Sequence, residues 1–384
     1  MPKERREEGK PRAAAARGAH ISLGLGGLVL IGAGAYLALW SNLFSIEYTR
    51  ADGASSTPRY KAIDPALYNL EELALAHIDP SLTTLLQPQN ASSTLLAATT
   101  TASSSVAIAG KAWPAPSPYP APGALLPAHR IVAYYGNFYS TAMGVLGEYP
   151  ADQVLAMLAS TSAEWEAADP ATPVIPAIDY IAVTAQAAAG ADGKYRARMP
   201  ASQIEQAIAM ASQLHGIVIL DVQVGLSDLP TELPLLAPYL SLPNVNLAID
   251  PEFSMQTSGA RPGTVIGTYS AKDIDYAIDY LDSLVKQNDL PPKILVVHRF
   301  TEDMVTNYQN ITPLPDVQVV MDMDGWGDQA KKINTYERVI ASEPVEFTGF
   351  KLFYKADLKP PSTGLLAPAQ VLALTPAPIF IQYQ

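Results

Sequence analysis

The chain of 384 residues contains no cysteine. That excludes disulfides, thiolate metal sites, a cysteine nucleophile and a lipid-modified cysteine. Charge is sparse, at 16% of residues, while the apolar share of 48% is enough for a large core. Positive charge is scarce beyond the N-terminus: residues 1–20 carry six Lys/Arg against three Asp/Glu, and residues 128–384 carry 15 against 28. An acidic domain repels phosphate backbones, so no nucleic-acid partner is expected. A G-x-S-x-G elbow ahead of a helix is also missing, which disfavours a Ser-His-Asp hydrolase.

One long run lacks charge altogether. "ISLGLGGLVLIGAGAYLALW" covers residues 21–40. At ~1.5 Å per residue it spans roughly 30 Å, the thickness of a hydrocarbon core. Basic residues precede it, so the N-terminus is expected inside and the remainder outside. A cleaved signal peptide, processed near "AGA" (33–35), is the alternative. The expected organisation has a cytoplasmic basic tail over 1–20 and a single-pass membrane anchor over 21–41. A flexible Ser/Thr/Ala/Pro-rich stalk follows over 42–127, then a folded domain over 128–384. Within the stalk, "ASSTLLAATTTASSSVA" (91–107) is low in complexity, "WPAPSPYPAPGALLP" (113–127) reads as a semi-extended spacer, and "NLEELALAHI" (69–78) as a short helix.

From residue 128 short β-rich runs alternate with amphipathic segments. The runs lie at 130–136, 173–182, 216–224, 245–253, 293–300, 317–325, 347–354 and 378–384. Strands alternating with helices imply parallel β-α units, and eight units predict a closed (β/α)8 barrel of the TIM type. A doubly wound open sheet is the alternative, but "YYGNFYSTAMG" is not its Gly-rich first turn. Ser202, Ser270 and Thr301 stand where helix caps are needed. "GTVIGTYS" (263–270) is a ninth extended run, assigned to a long loop. No helix pattern follows the eighth strand, so the last helix is expected to be missing or replaced by upstream chain.

In such barrels chemistry sits at the C-terminal ends of the strands. Alternation along "NLAIDPE" turns Leu247 and Ile249 toward the helices, and Ala248, Asp250 and Glu252 toward the axis. By the same rule Asp221 with Gln223, Asp322 with Asp324, Asp179, His298, Lys351 and Gln382 point inward at their strand tips. Buried charge is costly unless paired, wet or functional. Structural roles stand beside the functional ones. Asp179 and Asp221 also suit loop N–H groups, His298 a core donor to a carboxylate, Lys351 a counter-charge, and Asp322 and Asp324 a turn before "GWG". Tyr135 and Trp326 carry flat rings suited to sugar faces, or to filling loops.

Glycoside hydrolysis needs two carboxyl groups facing one bond. The expected set is Glu252 as acid, with Asp250, Asp221 or Asp322 as base or nucleophile. Tyr135, Asp179, Gln223, His298, Asp324, Trp326, Lys351 and Gln382 are expected to bind a glycan or another small polar substrate. No cofactor is required by this set. The alternative is a divalent-metal enzyme, in which the same carboxylates hold Mg²⁺ or Ca²⁺ with His298 or Lys351 as base. A third possibility is a barrel that binds glycan without cleaving it.

Two resemblances follow from these motifs. "VAYYGNFYSTAMGVLGEYP", "LAIDPEFSM", "VVHRFTEDM", "MDGWG" and "GFKLFY" resemble signatures of a functionally uncharacterised family of exported bacterial barrel proteins, often carried behind a membrane anchor. That resemblance covers residues 128–384 and implies fold and compartment but no reaction. The D-x-E at a strand tip is similar to that of the muramidase and chitinase barrels. There the Glu donates the proton, which implies the same role for Glu252 with Asp250 as its partner. The three spaced aspartates of the full chitinase pattern are absent.

Overall fold

Parallel strands rich in Val and Ile form wherever both faces are buried, one by helices and one by a barrel interior. Eight such strands close on themselves: β1 (Arg130–Gly136), β2 (Val174–Ala185), β3 (Ile217–Val222), β4 (Val245–Ile249), β5 (Lys293–Arg299), β6 (Val317–Met323), β7 (Phe347–Leu352) and β8 (Phe380–Tyr383). Each pairs with the next, and β1 pairs with both β2 and β8, so no barrel edge is left open. The molecule is therefore a TIM-type barrel, seen in a computed structural model that describes residues 60–81 and 113–384.

The main helices among the described residues are α1 (Pro65–Leu75), α2 (Ala151–Ala168), α3 (Ala201–Gln213), α4 (Leu229–Leu240), α5 (Ala271–Asn288), α6 (Gln329–Thr335) and α7 (Pro368–Leu372), beside a single helical turn at Val145–Glu148 and a π-helical turn at Tyr336–Ala341. The outer ring is irregular. Between β5 and β6 only single 3-10 turns occur, and there Val305–Thr306 pairs with Tyr269–Ser270. The end of the extended run at 263–270 is thus a strand rather than loop. Ser270 caps α5 in a reciprocal box with Asp273, as its position predicts. The caps expected at Ser202 and Thr301 do not form: Pro200 precedes α3, and Thr301 makes no side-chain cap bond. The short α7, just ahead of β8, lies against α2 on the outer ring.

Alternation divides each strand between two cores. Leu247, Ile249, Leu295 and Val297 join the helices. Ile131, Ala133, Ala177, Ile219, Ala248, Val296, Val320 and Phe380 fill the lower interior. The stalk expectation fails at this lower end. Helix α1 is opened by Pro65 and by Asp64, whose carboxylate accepts from the N–H groups of Ala66 and Leu67. It places Tyr68, 3% exposed, in the inner cluster beside Leu126. Gln318 of β6 then binds the chain just ahead of β1, accepting from the Leu125 and Leu126 N–H groups (3.0 and 3.1 Å) and donating to the Leu126 carbonyl (2.7 Å). Residues 65–75 and 113–127 are hence a stopper for the barrel base, not a spacer. An open base would leave the lower apolar layer wet, and a few large side chains suffice to cover it.

Among the described residues no helix is long and apolar enough to cross a membrane. The expected basic tail, the span at 21–41 and the low-complexity stretch at 91–107 lie outside the described residues.

Candidate functional site

The upper interior is charged where the lower is apolar. β4 ends at Ile249, one residue before the acidic pair. Asp250 then caps a 3-10 turn over Pro251–Phe253, its Oδ1 accepting from the Glu252 N–H at 3.0 Å. Pro251 loses nothing there, because the first N–H of such a turn has no partner to give up. Glu252 therefore sits on a turn and not on an extended strand, which corrects the spacing expected from strand geometry. Asp250 is 2% exposed and Glu252 is half-buried.

Both line a cavity of about 600 Å³ at the barrel mouth. Tyr135, Gln223, Asp324 and Lys351 share its floor, Phe253, Phe300 and Phe353 its walls, and Trp326, Lys331 and Arg338 its rim. Lys351 ion-pairs with Asp324 at 3.1 Å, and its ammonium lies 3.8 Å from the centre of the Tyr135 ring. It makes no ion pair with Asp250 or Glu252, and the cavity stays open.

Beneath the floor lies a second polar layer. The Tyr135 hydroxyl donates to Asp221 at 2.7 Å, and Gln223 donates to the Tyr135 oxygen (3.2 Å) and to Asp250 (3.4 Å). Gln382 donates to Asp179 at 2.6 Å, and His298 Nδ1 meets Asp322 at 3.0 Å. Gly349 makes room for that last pair, since a Cβ there would lie 2.5 Å from Asp322 Oδ1. Asp179 Oδ1, Asp221 Oδ1, Asp322 Oδ1, His298 Nε2 and Gln382 Oε1 are buried without a hydrogen-bond partner among the described residues. Such atoms are expensive, and five of the thirteen found among the described residues lie in this one layer.

The electrostatics follow from burial and crowding. Burial pushes the Glu252 carboxyl up to about 7; Asp324's charge adds to this, and Lys351 and His298 oppose it. Burial lifts Asp179 to about 8, against the pull of His298, with Asp221 adding to the rise. Asp250 is driven well above the usual carboxylate range by burial and then by Asp221. Burial raises Asp221 and Asp322 too, opposed at Asp221 by the charge of His298 and at Asp322 by the bond from that ring. Burial works against the His298 charge, yet the Asp322 bond and the surrounding acids lift the ring to about 10. The surrounding acids thus favour the charged form of the imidazole at neutral pH.

The expected residues separate by depth. Tyr135, Gln223, Asp250, Glu252, Asp324, Trp326 and Lys351 reach the cavity. Asp179, Asp221, His298, Asp322 and Gln382 are fully buried under it. Asp221 and Asp322 therefore cannot be the attacking groups expected of them. They occupy the inward position one pleat below Gln223 and Asp324. Sequence reasoning missed the phenylalanine walls. A signal was present, because Phe300 and Phe353 each stand two residues beyond an inward group, His298 and Lys351. Among the described residues no group of three or more His, Asp or Glu is placed to hold a metal ion, so the ligand set imagined for Mg²⁺ or Ca²⁺ is not gathered there.

No family model matches the chain, and no curated protein matches it, so neither motif resemblance gains a sequence match. Among solved structures it is similar to a xyloglucan-specific endo-beta-1,4-glucanase of glycoside hydrolase family 5 from a metagenomic library, in complex with cellotriose. That likeness has a TM-score of 0.33 and 11% identity, over 64% of this chain and 80% of that chain. It carries no argument about residues or reaction.

Proposed function

We propose that the barrel mouth hydrolyses a glycosidic bond, with Glu252 as proton donor and Asp324 as the second carboxylate. One observation carries this reading. Glu252 is half-buried with its carboxyl held near 7, on the same open cavity as Asp324, which Lys351 pairs. Two carboxyl groups whose surroundings differ in this way divide into an acid and a base or nucleophile. Glu252 gives its proton to the leaving oxygen as the glycosidic C–O bond breaks. Water supplies the new C–O bond, directly or after attack by the carboxylate, and returns a proton to the site. Asp250 holds the Glu252 turn in place and stays beneath it. With the charge-free run at 21–40 as anchor and the basic residues before it inside, the substrate is an extracellular or envelope glycan.

The test is turnover of a glycan panel by the full chain and by Glu252→Gln. A loss of about 10²–10⁴-fold in kcat, with circular dichroism unchanged and activity indifferent to EDTA, supports the reading. Wild-type protein that binds a glycan but turns none over assigns the mouth to recognition instead.

A further inference from the structure

We propose that the glycan taken by this mouth is acidic, and that Lys331 and Lys359 receive its carboxylate beside Trp326. This rests on the glycosidase reading above and adds the substrate class. Trp326 follows β6 on the cavity rim and is 52% exposed. The ammonium of Lys331 lies 4.8 Å from the centre of the indole and that of Lys359 lies 5.3 Å from it.

Among the described residues neither lysine pairs with a carboxylate. Their basic neighbours all do: Lys332 with Asp357, Arg338 with Glu302, Lys351 with Asp324 and Lys355 with Glu148. Asp328 is near in sequence, but its carboxylate accepts from the Lys331 backbone N–H at 3.1 Å as the α6 cap. With no ion pair among the described residues, both ammonium groups lie over the indole ring. In a chain of net charge −12, two uncompensated cations at one exposed ring form a local basic patch.

The chemistry that fits is a sugar ring bearing a carboxylate, as in a uronic acid. Its C–H face lies on the indole and its acid group meets the lysines, whose long stems swing from ring to ligand. The floor offers the same acid group no unpaired cation, because Lys351 is held by Asp324. Polarity therefore fixes orientation, with the acidic sugar at the rim and the scissile bond over Glu252.

The experiment uses the full chain carrying Glu252→Gln, so that ligands persist. Short oligomers of galacturonate, mannuronate and glucuronate-containing glycan are titrated by calorimetry, each against its own methyl ester, at low and high salt. At least one acidic oligomer is expected to bind roughly tenfold more tightly than its ester, an advantage that shrinks with salt. Adding Lys331→Gln and Lys359→Gln, both at exposed positions, should erase that preference and leave ester binding unchanged. Equal binding of acid and ester throughout overturns the proposal, as does a preference untouched by the double lysine change. Glu252-dependent turnover of neutral glycans alone overturns it while sparing the glycosidase reading. Turnover that does not need Glu252 removes that reading itself.

Discussion

The two halves of the barrel interior are built by the same alternation and do opposite things. In the lower half Ile131, Ile219, Val296 and Phe380 meet with Tyr68 and Leu126 as an apolar core. In the upper half six carboxyl groups (Asp179, Asp221, Asp250, Glu252, Asp322, Asp324) face one lysine and one histidine, and several of their oxygens have no partner. Burial of apolar surface stabilises the first at about 25 cal/mol per Å². Burial of charge destabilises the second unless protons and ion pairs compensate. The contrast teaches that one end of the barrel carries stability so that the other can hold an unfavourable cluster in place.

If the halves are separate in role, changes in each should be separable in effect. Glu252→Gln should remove the proton donor, with an activity loss of about 10²–10⁴-fold and an unmoved melting temperature. In the unaltered protein activity should fall as pH rises through about 7, where Glu252 loses its proton. Ile219→Ala, in the lower half, should cost about 2–5 kcal/mol in denaturant unfolding and leave kcat intact in the folded fraction. An Ile219→Ala protein that loses activity without losing stability would break the division. Gly349→Ala sits between the halves: its methyl group would crowd Asp322, costing about 1–3 kcal/mol and shifting the His298 titration seen by NMR.

The comparison is sharpened further through pH. The folded value for Asp179, about 8, lies above its unfolded value near 3.9. Between the two the folded chain keeps a proton that the unfolded chain has released, so stability falls as pH rises through that window. His298, at about 10 folded against about 6.5 unfolded, acts in the same direction at higher pH. Asp179→Asn should make the decline in melting temperature shallower up to pH 8 and leave the slope above it in place. An unchanged slope below pH 8 would show that Asp179 is ionised in the folded protein.

Much of this was legible beforehand, for one physical reason. A period of two carries over into an inward and an outward face, so Ala248 and Asp250 could be told from Leu247 and Ile249 without coordinates. Depth was not legible. Alternation says that Asp221 and Gln223 share a face, but not which of them the floor of the cavity lies above. Nor was the turn at Pro251, where a side-chain cap ends β4 at Ile249, short of the 245–253 run that the sequence implied. The stopper was hidden for another reason. Composition averages over a window, and "YNLEELAL" has few large side chains, yet Tyr68 is the one the barrel base needs.

That stopper has a mechanical side. A tension arriving along the chain upstream of Tyr60 enters the barrel domain through α1 and not through β1. It meets first the hydrogen bonds of Tyr60 to the Asp289 carbonyl and of Gly123 to the Lys61 carbonyl, then the seat of Tyr68 in the base and the clasp of Gln318 on Leu125 and Leu126. Those contacts would yield by unseating a plug, leaving the hydrogen-bonded wall of strands unpeeled. The mouth lies at the far end of that wall, away from the point where such a pull would enter.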